Sequence, residues 1–418
     1  MKLQTLLIPK CNWIFCFAYI LISNSFANEY NLDFLKESLR KNHLQLESSS
    51  LQIKSLKLQA KSEGRLKNPM VKLGVFPKEV ATKNGNMKYK FGVSQVLPPK
   101  SQLFFKKQIV LGLVSIEELK KEKLLQGLLL KLEKTYFLYN FLFEKKLVLE
   151  ENLHLINSWI KLWETHYSTH DFQYQRLIQL QIDAREIKDK IRSVHQKIPV
   201  VLEELKELAW LDLDSIKLSK SLKKVSKIDL ILGLDSNIDL LIIDANQKKK
   251  KSQIKFENSF FKPKYVVSSE WTMIDANGLG QNQGDDAWMI SLGMELVLDK
   301  NKIKNRVSSK KVQFKSLQTK RSFKQRSLKV KWNTISYQVN DARAQYQLIK
   351  DDLIPRTKEA LESIQTNYMT QNKGIDFFSL LNHLRKLLKL SLNMKIQYKN
   401  YFQAYAEQKS ILGIIGEN

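Results

Sequence analysis

The sequence predicts an α+β membrane protein in which long α-helical coiled-coil hairpins join four membrane β-strands per chain. Three observations predict it. The chain opens with an export-type leader. Four stretches of about ten residues alternate apolar with polar side chains. The longest remaining stretches carry apolar residues at unbroken steps of four and three. One order of elements, namely helix, strand, polar loop, strand, very long helix, turn and helix, is written twice. It occupies residues 28–225 and again 226–418, an internal two-fold repeat.

The leader comes first. Lys2 and Lys10 precede ten apolar residues, Trp13 to Ile22, and Ser25-Phe26-Ala27 sets small residues where a signal peptidase cuts. Ten residues fall short of the roughly 20 that a membrane-crossing helix needs, so residues 1–27 read as a cleaved signal peptide. Both cysteines, Cys11 and Cys16, lie inside it, away from the end of the apolar stretch, so no lipidation site is expected. No later stretch has 18 consecutive apolar residues.

Composition narrows the class. With 43% hydrophobic residues and only 14 Gly, the chain is neither disordered nor collagen-like. The net charge is +27, which suits nucleic acid, anionic lipid or solvated Lys-rich helices; export argues against nucleic acid.

In the first repeat, helical pattern from Asn42 ends before Asn68-Pro69. Strands are expected over about 69–77 and 87–97, with Val71, Leu73, Val75 and Tyr89, Phe91, Val93 on one face. In the second repeat, helical pattern from Asn237 ends before Lys262-Pro263. Strands are expected over about 263–274 and 287–297, with Tyr265, Val267, Trp271, Met273 and Trp288, Ile290, Leu292, Met294 on one face. Each proline fits the first residue of a strand, where no N–H is needed. Lys78–Asn86 and Asp275–Asp286, rich in Gly, Asn and Asp, read as exposed loops. Lys88 and Lys90 fall on the polar face and are expected to line a lumen.

The long helices carry the clearest periodicity. Leu328, Trp332, Ile335, Val339, Ala342, Tyr346, Ile349 and Leu353 form one seam. Leu380, Leu384, Leu387, Ser391, Met394, Tyr398, Tyr401 and Tyr405 form another, and Leu125, Leu129, Leu132, Tyr136, Tyr139 and Phe143 a third. The stretch from about 300 to 365 would reach roughly 100 Å as a helix, which suits a tube or a rod. Pro355 is expected to kink it.

Four strands cannot close a barrel, and an open edge in lipid leaves backbone groups unpaired at several kcal/mol each. Three copies supply twelve strands, within the range of closed barrels, and their helices would continue the barrel as a tunnel.

These features together make the sequence similar to the TolC-like outer-membrane efflux family, the outer membrane factor of tripartite export systems in Gram-negative cells. The resemblance is carried by Leu353-Ile354-Pro355, Glu359-Ala360-Leu361 and Tyr368. It continues through Asp376-Phe377-Phe378-Ser379-Leu380-Leu381-Asn382, Arg385, Tyr398, Tyr401 and Ala404-Tyr405-Ala406-Glu407. Asn68-Pro69, Leu73-Gly74, Gly92-Val93-Ser94-Gln95 and Leu97-Pro98 look like the family's first strand pair. The resemblance implies a homotrimeric twelve-stranded barrel with a periplasmic helical tunnel, working with a periplasmic adaptor (membrane fusion) protein and an inner-membrane pump. It implies passive export across the outer membrane, with no cofactor. By the same resemblance the periplasmic entrance falls at the two helical tips, with Asp171, Tyr368, Lys373, Asp376, Ser379 and Asn382 as gate candidates. Ser379 and Asn382 stand neutral where the family has acids, and Asp376 is the nearest acidic substitute.

No catalytic set is found, so no enzyme is expected. His166 and His170, four apart, are weak metal candidates without a third ligand nearby. From Lys300 to Lys331 there are thirteen Lys or Arg and no acid, a run that could line a positive conduit, face anionic lipid or simply meet solvent. The rival reading is a periplasmic or surface coiled-coil protein with a structural or adaptor role and no pore.

Overall fold

The computed structural model describes residues 31–166, 174–211, 233–277, 284–369 and 377–414; the expected leader lies outside these residues. Helix α1, Leu32–Asn42, starts at Asn31, whose side chain accepts from the Phe34 N–H at 2.8 Å. Helix α2, Leu44–Glu63, opens one residue later than the sequence suggested. His43 is its cap: in extended backbone, its Nδ1 accepts from the Gln45 N–H at 3.3 Å. Asn42 instead ends α1 and donates to Ser38 Oγ.

Strands β1, Met70–Thr82, and β2, Gly85–Leu97, form a hairpin. The exposed loop expected over 78–86 is therefore corrected: the strands run through it and turn at Lys83-Asn84. Gly85 allows the turn with φ +135, and a Cβ there would lie 1.6 Å from the Asp275 carbonyl oxygen. Register shifts between Val75 and Val80 in β1, because Pro77 has no N–H for the ladder and an edge strand tolerates the bulge.

Helix α3, Lys100–His166, runs 67 residues without a break, about 100 Å at 1.5 Å per residue. Helix α4, Tyr174–Ala209, returns beside it. Helix α5, Ile238–Ser259, follows a 3-10 turn at Leu234–Ser236. As the sequence suggested, Asn237 caps it, accepting from the Asp239 N–H at 3.0 Å. The same side chain donates to the Ile411 carbonyl at 2.7 Å, pinning the start of α5 to the far end of the chain.

Strands β3, Lys264–Ile274, and β4, Ala287–Glu295, complete one antiparallel sheet in the order β1-β2-β3-β4. Helix α6, Lys300–Leu348, passes through a π turn, Ile349–Leu353, into helix α7, Ile354–Met369. The π turn is where the expected proline kink is absorbed. Pro355 lacks an N–H and its ring would meet the carbonyl four residues earlier, at Asp351; the wider turn spans that carbonyl. Thr357 Oγ1 donates to the Leu353 carbonyl at 2.6 Å. Helix α8, Phe377–Leu412, closes the order.

The elements lie side by side as a slab. Toward the sheet the helices are arranged α2, α3, α5, α6; farther away, α4, α3, α8 and then α6 with α7. The apolar seams meet there: Leu129, Leu132, Leu149, Leu180, Leu205, Leu380 and Leu381 are fully buried. Of the seam in α6, Leu328, Ile335, Ala342 and the π-turn residue Ile349 are buried, each seven after the last. Aromatic rings close the middle. Phe137 stacks on Phe402 at 4.8 Å, and Tyr398 meets both Phe402 and Tyr346. Burial, then the neighbouring Tyr346 and Glu144, pushes the Tyr398 hydroxyl well above its ordinary pKa.

Candidate functional site

The sheet has two unlike faces, and the register sets them. One face reads Leu73, Phe91, Trp271 and Trp288 across the four strands, with Val75, Tyr89 and Met273 in the next row and Val71, Val93, Ser269 and Ile290 beyond. The apolar side chains of these rows are uncovered: Leu73 is 73% and Trp288 72% exposed. An apolar face of this extent on a thin sheet is what contact with hydrocarbon, or with another protein, would cover. Among the described residues no helix is long and apolar enough to cross a membrane.

The other face is more polar, although Val96, Val266 and Met289 also lie on it. Ser268 and Ser291 share a hydrogen bond of 2.6 Å, and Lys264 pairs with Glu295 at 3.1 Å. Lys88 and Lys90 lie on this face. Lys90 pairs with Glu270 at 2.6 Å, and Lys88 with Asp275. Each lysine is thus matched by a carboxylate from β3 or just beyond it, which the sequence alone did not reveal because the partners lie roughly 180 residues away. The tips of the two hairpins are tied together as well. Asn86 N–H donates to Asn277 Oδ1, Asp275 N–H to the Asn86 carbonyl and Gly284 N–H to the Asn84 carbonyl, each at 2.9 Å.

The slab has two open edges. One is formed by β1, α2 and α4, the other by β4 and α6. At both, apolar side chains recur on one stripe facing away from the core. On α2 the stripe is Leu44, Leu51 and Leu58, spaced seven apart. On α6 it is Val312, Phe323, Val330 and Tyr337, spaced eleven, seven and seven; Phe323 is 73% and Tyr337 76% exposed. The stripes lie at one level. Ser50 on α2 accepts from Lys121 on α3, and Lys123, two residues on, pairs with Asp239 of α5, which also holds Lys324 of α6 at 2.6 Å. Leu51 and Phe323 are the immediate neighbours of the first and last residues in that chain of contacts. The sequence reading missed these stripes, because seven-residue steps outside the core seam look like scattered apolar residues among lysines.

At the end away from the sheet, α4 and α8 are joined by Arg385, which forks onto Asp183 at 2.8 and 2.7 Å. That hydrogen-bonded pairing raises the Arg385 pKa and fixes its charge. A cavity of 330 Å³ opens beside the pair, lined by Asn152, Leu155, Asp183, Lys190, Arg385 and Leu388 among others. Of the entrance candidates, Ser379 is half-buried, with its carbonyl 2.8 Å from His383 Nδ1, and Asn382 is exposed. Tyr368 lies in the last turn of α7. Asp171, Lys373 and Asp376 lie outside the described residues, as does His170; His166 is the last residue of α3. Among the described residues no three His, Cys, Asp or Glu side chains gather where they could hold a metal ion.

No protein-family model matches the sequence, and no curated protein matches it by sequence. Solved structures do match the fold. The outer membrane protein VceC of Vibrio cholerae aligns with a TM-score of 0.72 at 13% identity, over 91% of this chain and 96% of that one. The MtrE outer membrane channel of Neisseria gonorrhoeae, in its open state, aligns with a TM-score of 0.74 at 13% identity, over 91% and 88%. The CmeC outer membrane channel of Campylobacter jejuni gives 0.70 at 13%, over 92% and 86%. The chain has the fold of the TolC-like outer-membrane channels.

Proposed function

We propose that this chain is one subunit of an outer-membrane export duct. Three copies join head to tail, β4 of one against β1 of the next, closing a twelve-stranded barrel whose lumen continues through a periplasmic helical tunnel. Strand direction supports the joint: the four strands alternate, so β4 meets the next β1 antiparallel. The level stripes on α2 and α6 support it below the membrane, as two different surfaces repeated around a ring. The observation that carries the reading is the sheet itself, with uncovered apolar side chains on one face, paired charges on the other and two unpaired edges.

In this role the protein gives passive passage to substrates handed over by an inner-membrane pump through a periplasmic adaptor, in a tripartite efflux or secretion system. Residues 1–27 are removed on export, and the two helical tips form the periplasmic entrance. Lys88 and Lys90 line the lumen, and Asp376 is the acidic gate candidate.

The test is the assembly of the mature protein extracted from outer membranes in detergent. A trimer that runs as monomer only after heating is expected. The double variant L51E/F323E places carboxylates on both stripes and is expected to lower the trimer fraction at least tenfold at micromolar protein. A native protein that stays monomeric and dissolves without detergent overturns the reading.

A further inference from the structure

Most of the positive charge on helix α6 between Lys300 and Lys331 has no carboxylate partner among the described residues. Helix α6 turns about 100° per residue, so its residues sort onto four sides. One side is buried against α5 and α8 and holds Ile303, Val307, Leu328 and Ile335. The opposite side holds the stripe of Val312, Phe323, Val330 and Tyr337, which the proposed assembly gives to the next copy. In a closed tube the two remaining flanks face the lumen and the periplasm.

Both flanks are basic. The first carries Lys300, Lys304, Lys311, Lys315, Arg326 and Lys329, all exposed, and none of these six is in an ion pair among the described residues. The second carries Lys302, Arg306, Lys320, Lys324 and Lys331; among the described residues only Arg306 and Lys324 meet carboxylates, Glu257 and Asp239, both on α5. No Asp or Glu lies on α6 between Lys300 and Lys331. Whichever flank faces inward, the lumen therefore receives at least three uncompensated cations from each chain. In the proposed ring the adjoining α2 would bring no net negative charge to this level, since it offers Glu47 and Glu63 against Lys54, Lys57 and Lys61. On the neighbouring α5, burial lowers the pKa of Lys249 and Lys250 first; Lys120 then lowers that of Lys249 against an opposing Glu117, and Lys310 lowers that of Lys250.

We infer that the duct selects for anions, so that its cargo, or the part of it that meets the upper tunnel, is negatively charged. This rests on the channel reading above. A positive wall raises the local concentration of anions and repels cations, over a distance set by salt.

The experiment is the zero-current potential of the purified trimer in a planar bilayer under a potassium chloride gradient. Chloride over potassium permeability is expected to be about threefold or more near 0.1 M salt, where the Debye length is about 10 Å, and to fall toward one near 1 M, where it is about 3 Å. Two sets of surface changes follow, K304Q/K311Q/K315Q/K329Q on the first flank and K302Q/K320Q/K331Q on the second. One set is expected to bring the ratio down at least twofold while the other leaves it unchanged, which also identifies the inward flank; trimer mass confirms that both variants assemble. A conducting trimer that is unselective or prefers potassium, or a ratio moved by neither set, overturns the inference while leaving the channel reading standing. A trimer with no conductance overturns both.

Discussion

Helices α3 and α6 hold corresponding places, each descending from the second strand of a hairpin, yet they are used differently. Helix α3 lies inside the slab, touching α2, α4, α5 and α8, and Leu129, Leu132 and Leu149 on it are fully buried. Helix α6 lies at the edge, packs mainly on α5 and α8, and shows aromatic and aliphatic side chains to the outside. Helix α3 is unbroken for 67 residues, whereas α6 yields to a π turn ahead of Pro355. The same local pattern thus serves cohesion within a chain in one place, and display of an apolar stripe and of charge in the other. Position in the slab, rather than heptad quality, decides which.

The sharpest way to break the comparison is to attack what only the inner helix has. Lys36 on α1 pairs with Glu133 on α3 at 2.6 Å, both nearly fully buried. Lys36→Ala strands a buried carboxylate and is expected to cost about 3–5 kcal/mol, read as loss of thermal stability in detergent; a paired change to apolar residues at both positions should recover most of it. Next, Leu132→Ala is expected to cost about 2–5 kcal/mol through the cavity it leaves. Val330→Ala on α6 should leave subunit stability within about 0.5 kcal/mol and weaken only the trimer. Equal losses of subunit stability would erase the distinction. At the sheet, Gly85→Ala forces a Cβ toward the Asp275 carbonyl at a positive φ, and is expected to cost more than about 1 kcal/mol, read as a lower dissociation temperature of the trimer.

The smallest effect concerns Asp239, which bridges Lys123 on α3 to Lys324 on α6. Burial pushes its carboxyl up, but the hydrogen bonds and charges of the two lysines outweigh this and hold it below its ordinary value of 3.8. Stability from this bridge is therefore fully present above that value and lost as pH falls through the lowered one. Asp239→Asn should flatten that acid limb of the stability profile, and an unchanged limb would count against the bridge.

The seams were legible because buried residues recur with the helical period. Leu328, Ile335, Ala342 and Ile349 are buried where the spacing puts them. The strands were legible because one face of each must be apolar, as at Leu73 and Trp288. What stayed hidden depends on partners far off in sequence or on backbone detail. The pairing of Lys90 with Glu270 needed the strand register. The cap at His43 needed a ring nitrogen in an extended backbone, where Asn42 offered the commoner cap residue. The π turn was foreseen only as a kink, since Pro355 announces strain but not how the preceding turn widens to absorb it. The gate candidates Asp171, Lys373 and Asp376 rest on resemblance alone.

In the proposed ring, the two unlike edges would also decide how assembly fails. There, a subunit spoiled at one edge would still offer its sound edge to a healthy neighbour and be drawn into the ring. In a mixture of equal parts sound and edge-blocked chains, a three-membered ring would be wholly sound in roughly one case in eight, so edge-blocked chains made alongside sound ones would suppress most of the function.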